Sequence, residues 1–250
     1  MKITLDQALS LAGNLEDEDA ISRFRGFVQG IKDVEDLGEY LKGCLEKEEI
    51  QYHKALCDLV CCLGPFLGFE NGFDGRWKSH TGISLLLEVA AKESQIKIDD
   101  LMGRIEEVEK TVPEEDLSGV LGMYVVHPSD LDRAEEVVLE EDEVGQVRVV
   151  SVSSLLLLAE MAKNYDLAHE DVLLLLLSSG PVVDALIDLM GRLIARCEAE
   201  IPSLEEIAYM LEPFVSGGKT SGEDALQDLI DQGQYYAFGN KAAKNRIMRG

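Results

Sequence analysis

The chain is short of positive charge. Its 250 residues include 48 aspartates and glutamates but only 23 lysines and arginines, which gives a formal net charge of −25. Proteins that bind nucleic acids over a broad surface neutralise phosphates with lysine and arginine, so the balance argues against such a surface on the whole chain. A nucleic-acid binder with a small local basic surface is still possible. The acidic charge can also reflect only solubility, or adaptation to high salt or high temperature.

Long apolar runs and a leader sequence are also missing. No apolar run approaches the roughly 20 residues that span a bilayer, and the segment Met1–Asp6 lacks the basic and apolar regions of a signal peptide. We therefore expect a cytoplasmic protein with no membrane partner.

Cysteine is scarce and irregularly spaced. The five cysteines are odd in number and form no Cys-x-x-Cys pair, so we expect reduced thiols. Cys57, Cys61 and Cys62 share one side of a predicted helix. Metal ligation by these three is open, but free cysteine packs as a small apolar residue, which favours a buried helix face. The sequence also lacks a Gly-x-Ser-x-Gly motif and a dinucleotide-binding fingerprint.

The most informative segment that is present runs from Gly72 to Lys92. It predicts two adjacent strands joined by a turn at Ser79–Gly82, with Asp74 early in the first strand. Glu88 follows an apolar run in the second strand, with 13 residues between it and Asp74. Two such strands bring both acids to one end of a sheet, and paired carboxylates are what a hard divalent cation needs. We expect the two carboxylates to lie within about 5 Å of each other.

A purely structural interpretation of the same acids stays open. In it, Asp74 only turns a loop and Glu88 pairs with Arg76 or Lys92, so that the fold is a scaffold without chemistry.

The succession of elements predicts an α/β protein: a mixed central β-sheet flanked by helices, with helical N-terminal and C-terminal extensions. The expected strands lie near 72–78, 83–90, 120–126 and 147–152, and the expected core helices near 50–63, 99–110, 131–140 and 155–163. The predicted organisation is a helical segment at 1–48, an α/β core at 49–165, a helical extension at 166–215, and a linker with a basic tail at 216–250.

The two acids and this order of elements together resemble the PD-(D/E)XK (restriction-endonuclease-like) nucleases, in which an Asp and the Glu of a Glu-X-Lys triplet bind Mg²⁺. The resemblance covers roughly residues 50–163. It implies that Asp74, Glu88 and the backbone carbonyl of Val89 hold Mg²⁺ or Mn²⁺, and that the chain hydrolyses DNA phosphodiesters in a restriction or genome-defence system. The triplet here is Glu88-Val89-Ala90. Ala90 thus stands where the family has its lysine, which implies an impaired or inactive enzyme.

Other residues could replace the missing lysine. Side chains alternate along a strand, so Lys92 shares a face with Glu88 and Ala90, and Lys78 shares a face with Asp74. Glu48 or Glu49 could supply a third carboxylate. The alternative function is a catalytically inactive nuclease-fold module that binds nucleic acid or protein.

The end of the chain reverses the overall charge, since the last ten residues hold four basic side chains and no acid. Together with the preceding segment from Gln234 to Gly239, it resembles the start of an EVE-like (PUA-related) module, which implies recognition of modified bases. A flexible basic tail is an equal alternative. We expect DNA, modified or not, as the partner, while a homodimer and further domains stay open. The candidate nucleic-acid-binding residues are Lys78, Lys241, Lys244, Arg246 and Arg249.

Overall fold

A computed structural model describes residues 3–70, 72–90, 96–113, 118–140, 145–178 and 180–200, with side chains as far as Arg196. One compact unit comprises residues 1–188 and a second comprises residues 189–250. The linker and basic tail predicted at 216–250, and the part of the predicted helical extension from residue 201 to 215, lie outside the described residues.

The described part of the chain combines helices with one four-stranded sheet. The helices are α1 (Leu5–Ala12), α2 (Glu18–Gln29), α3 (Val34–Leu45), α4 (Ile50–Cys61), α5 (Ile98–Thr111), α6 (Leu131–Glu140), α7 (Val152–Tyr165), α8 (His169–Leu176) and α9 (Asp184–Glu200). The strands are β1 (Arg76–Lys78), β2 (Ile83–Ala90), β3 (Gly119–Val126) and β4 (Val147–Ser151).

The sheet is mixed and follows the order of the chain. β1 pairs antiparallel with β2, whereas β2, β3 and β4 are parallel neighbours. The parallel pairs need long crossovers, and α5 and α6 supply them. β3 lies between two parallel partners, and five successive residues from Gly122 to Val126 are buried. This near-continuous apolar run is typical of a strand that is covered on both faces.

One face of the sheet packs against α5 and α6. Leu86 and Ala90 of β2 share a buried cluster with Tyr124 of β3. From the crossover helices, Leu101 and Ala134 join the same cluster. Because α5 follows β2 directly, this packing positions α5 beside the end of β2 that carries Glu88.

The other face packs against the helices that precede and follow the sheet. Trp77 of β1 is fully buried and its indole N–H donates to the backbone carbonyl of Cys61, at the end of α4, at 3.1 Å. Gly38 of α3 lies so close to Leu156 of α7 that an added Cβ would sit 3.0 Å from the leucine. The sheet is therefore the middle of three layers in the first unit.

The predicted fold class is confirmed at this level, since the structure is an α/β fold with a mixed sheet flanked by helices. The predicted strands all occur, but β1 begins at Arg76 rather than at Gly72. Asp74 therefore precedes the first strand instead of lying within it. In the described residues, no helix has the length and apolar character that crossing a membrane requires.

A pair of glycine substitutions tests the packing of α5 on the sheet. A Cβ added at Gly122 of β3 would lie 2.6 Å from Leu101 and 3.3 Å from Ile105, whereas a Cβ at Gly103 of α5 would meet nothing within 4 Å. We expect Gly122→Ala to lower the free energy of unfolding by about 1–3 kcal/mol, because the helix must move away. The matched control Gly103→Ala should be neutral or stabilise by up to about 1 kcal/mol.

Chemical denaturation of both variants measures the difference. Equal stability of Gly122→Ala and wild type would show that α5 does not pack on β3 as described.

Candidate functional site

The two predicted acids have neighbouring backbones. The N–H of Leu87 donates to the carbonyl of Gly75 at 2.7 Å, which extends the β1–β2 pairing by one residue beyond Arg76 and Leu86. Asp74 directly precedes Gly75, and Glu88 directly follows Leu87. The antiparallel direction of the two segments therefore brings Asp74 and Glu88 to the same end of the hairpin.

Asp74 also shapes the turn into β1. Its Oδ1 accepts the backbone N–H of Arg76 at 3.2 Å, a common use of aspartate in turns. Gly75 has φ +70°, a left-handed conformation that side chains with a Cβ rarely adopt. The interpretation of Asp74 as a turn residue therefore agrees with its local bond. The carbonyl of Gly75 points toward β2 and the N–H of Arg76, in the same peptide unit, points away from it, so the bonded Oδ1 of Asp74 lies on the side away from Glu88.

Glu88 is held by an arginine that the sequence analysis did not single out. Its Oε2 accepts from Nη1 of Arg104, on α5, at 2.6 Å. The expected partners are used differently: the guanidinium of Arg76 donates to the hydroxyl of Ser84 at 3.1 and 2.8 Å, and Lys92 lies outside the described residues. The expectation of an Arg76 pair is therefore wrong, because Arg76 reaches the nearer Ser84 on the paired strand.

The carbonyl of Val89 faces the same edge of β2 as the acids. In an antiparallel pair, alternate residues of a strand direct their N–H and C=O groups to the same neighbour. Leu87 donates toward β1 and its preceding turn, so the peptide groups of Val89 are directed to that side as well. This edge of β2 thus offers a backbone oxygen near Glu88.

A cavity of about 500 Å³ opens beside Glu88 and Val89. Tyr124 and Lys97 both line this cavity. The Tyr124 hydroxyl joins them, because it donates to the carbonyl of Lys97 at 2.7 Å and accepts the N–H of Lys97 at 3.1 Å. Burial is the main reason that the pKa of Tyr124 is raised to about 12. The other residues around this cavity that matter here are His53, Asp100 and Arg104.

A second cavity of about 450 Å³ lies at the carboxyl ends of β2 and β3, where Ala90 and His127 contribute to its wall. Ala90 is only 2% exposed and belongs to the buried cluster under α5. Its methyl group is no substitute for a lysine, because it neither donates nor accepts a hydrogen bond.

His53 of α4 lines both cavities. Its buried Nδ1 has no hydrogen-bond partner among the described residues, and its Nε2 lies 4.0 Å from the sulfur of Cys57. Burial lowers the pKa of His53, while the charge of Glu88 opposes that effect. The four histidines have no metal-ligand spacing in the sequence. Only the place of His53 on the packed side of α4 could have indicated it.

The helical cysteines behave as apolar residues. Cys44, Cys57, Cys61 and Cys62 are free thiols, and burial raises the pKa of Cys57 to about 12 and that of Cys61 to about 11. Thiols that stay protonated are poor metal ligands. In the described ranges, no group of three or more histidines, cysteines and acids is placed to hold a metal ion.

Asp74, Glu88 and the carbonyl of Val89 are the groups that the sequence predicts as ligands of a hydrated cation. Mg²⁺ prefers oxygen ligands, keeps several of its waters and is often held by one or two carboxylates. The paired backbones of Gly75 and Leu87 supply the two acids at one edge. Neither Glu48 nor Glu49 lines the cavity beside Glu88, although Glu48 lines the second one.

The basic candidates are spread apart. Lys78 is exposed and lies opposite Ser84, four residues from Glu88 along β2. At about 3.3 Å per residue this is roughly 13 Å, beyond the reach of a lysine side chain to the acids. Lys241, Lys244, Arg246 and Arg249 lie outside the described residues.

No family model, curated protein or solved structure matches the chain. Function must therefore be argued from the site itself.

The environment of His53 predicts its titration. Its folded-state pKa is lowered from 6.5, so its contribution to stability is fully present above pH 6.5 and is lost as the pH falls through the lowered value. We expect the His53 ring signals in an NMR titration to report a pKa below 6.5.

The variant His53→Gln cannot titrate and is the control. The difference in unfolding free energy between wild type and this variant should be constant above pH 6.5 and should shift in favour of the variant below it. A His53 pKa above 6.5 would contradict the described burial.

Proposed function

We propose that the chain is a metal-dependent DNA endonuclease module of the PD-(D/E)XK type, impaired as written because Ala90 replaces the lysine. The observation that supports the proposal is the Leu87–Gly75 hydrogen bond, because Asp74 and Glu88 are the sequence neighbours of the two bonded residues. The mixed sheet, with α4 before it and α5 crossing over after β2, is the setting that such a site needs.

Each residue has a distinct role in this proposal. The carboxylates of Asp74 and Glu88 and the carbonyl of Val89 hold the cation. When bound, Mg²⁺ or Mn²⁺ stabilises charge on the phosphate and lowers the pKa of a water molecule. The open cavity of about 500 Å³ beside Glu88 gives a phosphodiester access to this edge.

Position 90 explains the impairment. Ala90 lies two residues after Glu88 on the same face of β2, where a lysine would orient the attacking water and take up its proton. The methyl group of the alanine can neither orient the water nor accept its proton. Lys78 is too far along the strand to take over, so activity should be very low or absent in the chain as written.

A non-catalytic binding module is the second candidate, and one observation favours it. The guanidinium of Arg104 is an internal counter-ion of Glu88, so this carboxylate is paired without an added cation. In this proposal the same edge binds nucleic acid or protein without cutting. A restriction or genome-defence setting, and recognition of modified DNA through the C-terminal tail, are parts of the proposal that rest on the resemblance alone.

Restoring the lysine separates the two candidates. We expect Ala90→Lys to nick supercoiled plasmid DNA in the presence of Mg²⁺ or Mn²⁺, because the new side chain extends from the face that carries Glu88. Gel electrophoresis of the plasmid measures the gain, which should be at least about tenfold over wild type if one general-base step is restored.

The matched control is the double variant Ala90→Lys, Glu88→Gln, which keeps the lysine and loses one metal ligand. It should not cut. Because position 90 is buried, thermal unfolding of Ala90→Lys must first show a folded protein. A folded Ala90→Lys that cuts no DNA favours the binding module.

A further inference from the structure

Ser79 and His169 form a hydrogen-bonded pair outside the site described above. Ser79 lies in the turn between β1 and β2, and His169 is the first residue of α8. The Ser79 Oγ lies 2.7 Å from Nε2 of His169, and Nδ1 on the other side of the ring lies 2.7 Å from the carbonyl oxygen of Leu67. A carbonyl oxygen only accepts. In the neutral ring Nδ1 therefore carries the proton, and Nε2 accepts from the Ser79 hydroxyl.

This order of groups is that of a nucleophile, a general base and a third group that orients the base. The carbonyl of Leu67 fixes the tautomer of His169, the role that a carboxylate has in the common serine triads. Such arrangements are recognised by their geometry and not by a sequence motif. The missing Gly-x-Ser-x-Gly motif therefore does not argue against the pair.

The imidazole ring of His169 is held closely in place. A Cβ added at Gly68 would lie 2.6 Å from its Nδ1, so only a glycine leaves room for the ring there. The ring of Phe69 packs edge-on against it, with 4.7 Å between the ring centroids. A base that packing and a hydrogen bond both hold keeps its geometry toward the nucleophile.

Thr81 supplies two donors to the Ser79 oxygen. Its backbone N–H donates to Oγ at 3.1 Å, and its hydroxyl lies 2.8 Å from Oγ. The single hydroxyl proton of Ser79 is directed to His169, so the Thr81 hydroxyl is the donor in this second contact. Two donors stabilise negative charge on Oγ as its proton leaves, and they lie close to an oxyanion that forms on a carbon bonded to Oγ.

The pair lies directly below the surface. Ser79 is 7% exposed, but the next residue of each segment is open, because the side chains of His80 and Glu170 are both 64% exposed. These two lie 3.5 Å apart, and the His80 ring lies 5.0 Å from that of His169. A contact this exposed is weak. A small substrate therefore reaches Oγ when the His80 side chain turns away.

We propose that Ser79 and His169 are a catalytic dyad for acyl transfer from small esters, with the carbonyl of Leu67 as a positioning group. Oγ bonds to the ester carbonyl carbon while its proton passes to Nε2. The bond from that carbon to the alcohol oxygen then breaks, and the alcohol leaves with this proton. Water attacks the acyl-serine and gives a proton to Nε2, and Ser79 regains it as the carboxylic acid leaves. This activity does not depend on the function proposed above.

Labelling with diisopropyl fluorophosphate tests the nucleophile directly, because this probe forms an Oγ–P bond with an activated serine and loses fluoride. Intact mass spectrometry of the full chain should show one adduct, and peptide mapping should place it on Ser79. His169→Gln keeps a hydrogen-bonding side chain but has no base, so labelling should slow by at least about 100-fold.

Ser129 offers a matched control within the same chain. Its hydroxyl also lies 2.7 Å from a histidine nitrogen, Nδ1 of His127, but this is a local contact two residues apart on an exposed turn. Ser129 should stay unlabelled, and Ser129→Ala should label at the wild-type rate. Equal labelling of Ser79 and Ser129 would show general hydroxyl reactivity and would overturn the dyad.

Ester turnover tests the substrate class. Wild type should release p-nitrophenolate from p-nitrophenyl acetate, and Ser79→Ala should not release it above the rate in buffer. The decanoate ester should react more slowly, because Ser79 is only 7% exposed. Equal turnover by wild type and a folded Ser79→Ala would place the activity elsewhere.

A hydrogen bond that serves only to hold α8 against the turn leads to a different result. Ser79→Ala would then lower the free energy of unfolding, while wild type would give no adduct. No adduct on the folded wild type, or an adduct on another serine, overturns the proposal. Because the mapping uses the wild-type chain, it decides the question even if Ser79→Ala or His169→Gln does not fold.

Discussion

The hydrogen bond from Leu87 to the carbonyl of Gly75 is the contact on which the candidate site depends. It extends the short pairing of β1 with β2 to Gly75 and Leu87, the residues next to Asp74 and Glu88. The left-handed conformation of Gly75 then turns the chain away from the sheet, so that the edge of β2 at Val89 lies beyond the end of β1.

Packing on both faces of the sheet makes that edge rigid. Trp77 anchors β1 to the end of α4, and Leu101 of α5 packs against Gly122 of β3. The same contact brings Arg104 over Glu88. One packed layer thus supports the strand that carries an acid and the helix that carries its counter-ion. The net charge of −25 makes such a local cation important, because the rest of the chain repels phosphate.

Sequence periodicity predicted the parts of the fold that depend on burial. The apolar runs of β2 and β3 and the 3.6-residue pattern of α5 are strong local signals, and those elements lie where they were expected. The start of β1 was placed too early, because the bend at Gly75 follows from a backbone conformation and not from apolar spacing. The order of strands and helices was enough to predict a mixed sheet.

The side-chain contacts of the site could be predicted less well from the sequence. The partner of Glu88 lies 16 residues further along the chain, on the far side of a crossover, and no local pattern links the two positions. His53 was missed for the same reason, since it meets the end of β2 only through the packing of α4. The proposed ligands Asp74 and Glu88 were chosen from their spacing across a turn, which is a local property, and the hydrogen bond between their neighbours Gly75 and Leu87 agrees with that spacing.

The shared cation site is tested most directly by paramagnetic broadening of backbone NMR signals during a titration of the wild-type chain with Mn²⁺. Broadening falls off steeply with distance from the ion. If Asp74 and Glu88 hold one cation, the amide signals of Gly75, Leu87 and Val89 should broaden together at the lowest Mn²⁺ concentrations, and they should be spared in Glu88→Gln. Early broadening that is confined to other acidic surfaces, with Gly75 and Val89 unaffected, would contradict the account.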